Sequence, residues 1–585
     1  MQLDYSSTWR RRPDDRCFST SKYSSRGTES CILINMKIPN LKSLLIFTGL
    51  LSFFLSYGQD RFVSMNRIDS FSRQEVLEFL TDQGIPEEFM NIDYGVELYQ
   101  VLYLCEYKDS LTEVSGLLAR PIHPKCQAPL LLYHHGTQAA DFNNPSTSPY
   151  GGEGLICMLL AGEGYVVGAP DYIGLGTSNI RIHPYQHAFS QAHSSINLAR
   201  AIREINSNEV ELNLGHEIML TGYSQGGFST MASLKYMQES YADEFTVSCA
   251  APMSGAYDMD GVQSVYLTRD APYPTPGYVG YIILSYMEMY PDRFADYSFQ
   301  DIFVEPYDSL MPTLFYGNRS IGYINSQCPD TPNLVLQIEE LEDYKVNPNH
   351  PLRMSLRENS LLEWAPDVPV SLHYCEGDDQ VTYLNSVVAD SAWRANGAQS
   401  IQSLDFGMLD HNGCVLPAVL ATRKFFNDYR TNGINASLAI DQTQGQVEVA
   451  IETPENYRFQ WNNGLNGRTI GLNNISSNEI SVEVEEKSSG CRTTLSLDLI
   501  PDDLSEHTIN ATVMPNPASM YTRIRWNRPF TGELLITDLL GKVVLEKSVD
   551  NQDHLYLEVD HWPRGNYIVR STLSGSQDIT RFSLR

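Results

Sequence analysis

Six consecutive residues, Gly222-Tyr223-Ser224-Gln225-Gly226-Gly227, have the types and spacing for nucleophilic catalysis. A serine hydroxyl attacks only when a base takes its proton; a histidine is the usual base, and a carboxylate holds the histidine. A bare Gly-x-Ser-x-Gly is a weak signal, because both residue types are common. Its flanks strengthen it. The apolar run EIMLTG (217–222) reads as a buried strand, and a helix with Phe228, Met231 and Leu234 on one stripe follows. Strand, tight turn and helix together make a nucleophile elbow, which exposes the serine hydroxyl at a helix N-terminus.

The base and the acid should follow the serine in the chain order Ser, acid, His. His411 sits in MLDHNGC, a loop between the extended segment SIQSLDF and the helix VLPAVLATRKFF. His373 lies inside the strand VPVSLHYC and His350 in a Pro-rich loop, so both fit less well. The acid belongs to the loop HYCEGDDQVTYLNS, where Glu376, Asp378 and Asp379 compete. A D-x-x-V spacing, with the valine re-entering the core, runs from Asp378 to Val381 and favours Asp378.

A tetrahedral intermediate also needs donors for its oxyanion. Gln225, next after the nucleophile, offers one backbone N–H. Thr137 is the leading candidate for the second, with Gln138 behind it, because the loop after the strand PLLLYHHG should border the elbow. His134 and His135 read as loop-shaping residues beside that site. No Cys/His cluster has zinc spacing, so neither a metal nor another cofactor is expected.

The elements that must position these residues alternate between strand and helix from 60 to 432. Short apolar strands (129–136, 164–171, 217–222) are separated by helical segments near 154–162, 187–206 and 225–239, and 95–107 with 112–120 reads as a hairpin. This pattern predicts an α/β domain with a mostly parallel sheet covered on both faces. An insertion rich in Tyr, Met, Pro and Phe, about 256–364, separates the nucleophile from the acid and should form a cap. Its segment GYVGYIILSYMEMY (277–290) is apolar on nearly every side. Beyond 436 the pattern changes to short alternating strands, predicting two small all-β sandwiches at 436–503 and 508–585.

Motifs in the order HHGT, APDYIGLGTS, HPYQHA, GYSQGG, GDDQV and DHNG resemble the secreted lipase and esterase family of the α/β-hydrolase superfamily over about 90–430. The resemblance implies a serine carboxylic ester hydrolase acting through Ser224, Asp378 and His411 on an ester or lipid. Where the family often has His or Pro around its acid loop, this chain has Cys375 and Thr382. Asp171 and His187 are family-like too. They read as structural, a turn carboxylate and a helix-capping or packed imidazole. The tail, with MPNPASMYTRIRW, ITDLLGKVV, HWPRGNYIV and RFSLR, resembles the type IX secretion sorting domain of certain Gram-negative bacteria. That implies the type IX machinery as a partner, and a secreted or cell-surface location. Residues 436–503 resemble the Ig-like modules of such surface proteins.

The front of the chain agrees with export. Residues 36–58 carry Lys37 and Lys42 followed by an apolar stretch from Leu44 to Leu55, the pattern of a signal peptide, and the run is shorter than a spanning helix needs. Residues 1–35 are polar and patternless and read as a mis-called N-terminal extension. A formal net charge of −30 with no basic patch excludes nucleic acid as a partner. The catalytic domain is expected to be monomeric. Export permits disulfides, and Cys375 and Cys414, each three residues from a candidate triad member, are placed to form one. Two other readings remain: a prolyl or dipeptidyl serine peptidase, and a non-catalytic surface binding protein.

Overall fold

Nine strands build the main sheet: β1 (Phe62–Phe71), β2 (Val96–Tyr107), β3 (Ser110–Pro121), β4 (Ala128–His134), β5 (Val166–Pro170), β6 (Leu214–Tyr223), β7 (Thr246–Met253), β8 (Val370–Tyr374) and β9 (Ile401–Asp405). Their spatial order is β1-β2-β3-β5-β4-β6-β7-β8-β9. The first three strands and β5 are joined antiparallel. From β5 through β9 every pairing is parallel. The computed structural model describes residues 60–441, 446–471, 479–498, 511–514, 521–538, 542–559, 561–573 and 576–584. The expected signal peptide and leading extension lie outside these residues.

Burial follows from position in the sheet. Every residue of β4 and β5 is buried, as strands covered on both faces must be. Successive β4 side chains point to opposite faces. Leu130 and Leu132 join one core cluster, with residues of α3 (Ala188–Asn208) and α4 (Gln225–Ser240). Leu131 and Tyr133 join the other, with residues of α1 (Arg73–Asp82), α2 (Glu153–Gly162) and α7 (Val415–Tyr429). Truncating a fully buried leucine such as Leu131 to Ala would cost about 2–5 kcal/mol.

β7 and β8 are separated by residues 254–369, a largely helical insertion whose longest helix is α5 (Gly277–Met289). Residues 277–286 of α5 are all buried, which accounts for a helix apolar on nearly every side. α6 (Leu384–Ala395) follows β8 and α7 follows β9.

The C-terminal strands are all antiparallel. β10 (Ala436–Asp441), β11 (Gln446–Ile451) and β13 (Thr469–Gly471) form one three-stranded sheet, and β12 (Tyr457–Trp461), β14 (Glu479–Glu486) and β15 (Arg492–Asp498) another. Val447, Val449, Trp461, Val482 and Val484 share a core with residues of both sheets. A disulfide joins Cys491, just before β15, to Cys126, just before β4. Asn432 donates to the Arg492 carbonyl (2.6 Å) and Thr493 to the Arg430 carbonyl (2.9 Å) at the same junction. The last strands, β16 (Ala511–Met514), β17 (Tyr521–Asp538), β18 (Val543–Glu558), β19 (Gly565–Leu573) and β20 (Ser576–Leu584), are linked through β17 around Trp526, Phe530 and Ile536.

Candidate active site

Ser224 stands between the last residue of β6 and the first of α4, with φ 61° and ψ −117°. A non-glycine residue at positive φ stores strain. It is held here by its own N–H, which donates to the Met253 carbonyl (2.9 Å), and by its carbonyl, which accepts from Gly227 (2.9 Å). The glycines permit the turn because the backbone passes so close: a Cβ on Gly226 would lie 1.9 Å from the His134 carbonyl oxygen, and one on Gly222 2.4 Å from it. Gln225 is the first residue of α4, so its amide is among the N–H groups a helix leaves free.

Of the three competing acids, Asp378 is the one bonded to the imidazole. Its Oδ2 lies 2.7 Å from His411 Nδ1, and both side chains are buried. Asp378 Oδ1 accepts from the backbone N–H of Gln380 (3.0 Å) and Val381 (2.8 Å), which fixes the carboxylate plane. Asp379 is exposed, and its Oδ1 accepts the His411 backbone N–H (3.2 Å). Glu376 is exposed as well. The Cys375–Cys414 disulfide joins the acid loop to the histidine loop, with Cα atoms 6.0 Å apart. Tyr223, next before the nucleophile, donates its hydroxyl to the His411 carbonyl (2.5 Å).

The other histidines are committed elsewhere. His373 is bonded to Ser371 and Thr422, and His350 caps the helix Pro351–Glu358. His134 contacts the Thr221 carbonyl and the hydroxyls of Thr230, Ser195 and Ser233, and burial pulls its pKa down to about 3. His135 contacts the carbonyls of Gly136 and Asp171, and burial pulls it down to about 4. Both are therefore neutral braces at neutral pH. His187 caps α3 by accepting from Ser190 N–H, and Asp171 accepts from Ser115 and Ser146, in line with their structural reading. Among the described residues no cluster of three or more His, Cys, Asp or Glu is placed to hold a metal.

Thr137 follows β4 as expected. Its hydroxyl lies 3.1 Å from Tyr185 Oη, and Gln138 gives its carbonyl to the Tyr281 hydroxyl (2.9 Å). Sequence reasoning missed what surrounds this loop. Tyr185 stacks flat on Tyr281 of α5, ring centroids 4.4 Å apart. Ser285 and Tyr286 of α5 donate to the carbonyls of Tyr185 and Gln186. His183 accepts from the Gln225 side chain (2.8 Å), so the HPYQHA motif contributes a brace to the residue beside the nucleophile. Ser224 opens onto a small, mostly apolar cavity of about 20 Å³, lined also by Tyr185, Met259, Tyr278, Ile282 and Val381.

Residues 143–420 match the secretory lipase family, and residues 512–583 match the secretion system C-terminal sorting domain. Among solved structures, the rice cell wall degrading esterase LipA from Xanthomonas oryzae is 25% identical, with a TM-score of 0.58, covering 64% of this chain and 100% of that one. A Legionella pneumophila protein described as a hydrolase is 26% identical, with a TM-score of 0.57, covering 63% of this chain and 98% of that one. Curated protein sequences gave no match. No described helix is long and apolar enough to cross a membrane. The sorting domain and the secretory family mark the protein as secreted or displayed at the cell surface. It is a lipase-like hydrolase of the α/β-hydrolase fold, whose residues 143–420 match the secretory lipase family and whose residues 512–583 match the secretion system C-terminal sorting domain.

Proposed function

We propose that the protein hydrolyses carboxylic esters through a Ser224–His411–Asp378 triad and an acyl-enzyme. The observation that carries this reading is the buried 2.7 Å pair between His411 Nδ1 and Asp378, with the His411 backbone tied to the elbow through the Tyr223 hydroxyl. Ser224 Oγ attacks the ester carbonyl as His411 Nε2 takes its proton. Asp378 holds the ring in the needed tautomer and stabilises the imidazolium. The backbone N–H groups of Gln225 and Thr137 receive the oxyanion. His411 then protonates the departing alcohol, and a water activated by the same imidazole releases the acid.

Met259, Ile282 and Val381 make the cavity beside Ser224 suited to the acyl part of the substrate. About 20 Å³ is roughly room for one water, so the insertion at 254–369 acts as a lid that shifts to admit an ester. The type IX secretion machinery is the export partner, recognising the C-terminal domain.

The test is turnover of a p-nitrophenyl ester by the wild type and Ser224→Ala. Loss of about 10⁶ in kcat is expected for a triad member, with an unchanged melting temperature. Substantial activity left in Ser224→Ala sinks the serine mechanism. Peptide nitroanilides run in parallel identify a peptidase, and an inert wild type identifies a binding protein.

A further inference from the structure

One carboxylate at the site has no role in the triad. Glu153 is the first residue of α2. Its Oε1 accepts the Gly136 backbone N–H at 2.7 Å, and its Oε2 accepts the Tyr133 hydroxyl at 2.8 Å. Gly136 is packed against both Glu153 and the nucleophile: a Cβ there would lie 3.0 Å from Glu153 Oε1 and 3.7 Å from the Cβ of Ser224. The next residue along is Thr137. The carboxylate therefore grips the peptide that precedes the second oxyanion donor.

Resting on the ester-cleaving reading above, we propose that Glu153 is a positioning residue: its carboxyl group fixes the Gly136 amide, and through it the Thr137 amide, against Ser224. An oxyanion donor acts through preorganisation, so its support matters as much as its presence. The ionisable groups facing Glu153 are Tyr133 of β4, Tyr172 after β5, Cys157 of its own helix, and His411. Among these four only His411 can become positive. Burial pushes the Glu153 carboxyl up to about 7, while its bonds from Tyr133 and Gly136 and the charge of His411 pull it back.

The experiment compares wild type, Glu153→Gln and Glu153→Leu on p-nitrophenyl butyrate across pH 5–9, with Ser224→Ala alongside. Glu153→Leu keeps the size but removes the acceptor. Its kcat should fall about 10–100-fold, less than the loss of an oxyanion donor outright, with KM within about threefold. Glu153→Gln can still accept from Gly136 and meet the Tyr133 hydroxyl, so its kcat should stay within about fivefold of wild type. A purely structural role would not be rescued by Gln, nor leave KM in place while kcat falls. A folded Glu153→Leu with wild-type kcat overturns the proposal, as does a folded Glu153→Gln whose kcat falls more than about fivefold. The second criterion holds even where Glu153→Leu does not fold. Residual activity in Ser224→Ala is a separate outcome and strikes the ester-cleaving reading instead.

Discussion

The Tyr223 hydroxyl donates to the backbone carbonyl of His411 at 2.5 Å, so the residue before the nucleophile is tied directly to the residue proposed as its base. The tyrosine ring also packs against the imidazole, with centroids 5.0 Å apart. Tyr223→Phe keeps the ring and removes only this bond. The expected result is a stability loss of about 1 kcal/mol and a several-fold lower kcat with little change in KM. Thermal melts and steady-state kinetics on one ester check both. A kcat equal to wild type means the histidine loop needs no such tie.

Asp378 and Asp379 are adjacent, yet they meet different parts of His411: one the ring, the other the backbone N–H. Asp378→Asn should lose about 10⁴ in kcat, because an amide favours the wrong tautomer. Asp379→Asn should lose less than about tenfold, a change of under about 1.4 kcal/mol. Side-by-side assay decides it. A dead Asp379→Asn with a live Asp378→Asn moves the acid by one residue.

The Cys375–Cys414 bond closes a loop with a sequence separation of 39 and pins the acid loop to the histidine loop. Converting both residues to Ala should cost about 3–4 kcal/mol on the chain-entropy account and lower kcat as the pair loosens. Non-reducing peptide mapping should recover the two cysteines in one fragment. Finding both thiols free refutes the pairing.

Stability should fall in mild acid. Burial pulls His134 and His183 down to about 3, and His135, His187 and His373 to about 4. The unfolded chain takes up protons at these residues near pH 6.5 and the folded chain does not. Their stabilisation is thus full above about 6.5 and is lost as pH drops towards 4. Glu153 works the other way, since its folded pKa of about 7 exceeds the unfolded value and it prefers the folded state when protonated. Burial also raises Asp141, to about 6, and Asp171 and Asp428; the five histidines against these four carboxyls still give a net loss on acidification. Melting temperatures at pH 7.5 and 4.5 test the sign, and a flat profile between them contradicts it.

Deleting residues 508–585 should leave ester turnover intact and stop export in the native host, since residues 512–583 form the sorting domain. A truncated protein that still reaches the medium refutes this.

Ser224, Asp378 and His411 were legible because each stands in a short local pattern: an elbow, a D-x-x-V loop after a strand, and a loop before a helix. The sheet was legible for the same reason, since buried parallel strands such as β4 are continuous apolar runs. β1 was not, because its residues alternate irregularly between exposed and half-buried at an edge of the sheet. Glu153 carries no local signal. An acidic residue in the first turn of a helix is ordinary, and its meaning comes from Gly136, 17 positions earlier. The Tyr185–Tyr281 stack and the Cys126–Cys491 bond likewise join residues whose meeting only the folded chain defines.

The Cys126–Cys491 bond, with a sequence separation of 365, turns most of the hydrolase and the first β module into one covalent ring. Ser224, the lid and the Cys375–Cys414 bridge all lie on that ring. A single protease cut in a lid loop therefore opens the circle without releasing a fragment, and the halves stay together until a reductant acts. The ring also sets an order of events during export. In a chain exported N-terminus first, Cys126 emerges long before Cys491, so its native partner is absent until the hydrolase has passed. Only a chain that has delivered its β module can close the circle, which makes closure a chemical record that the whole catalytic portion has arrived.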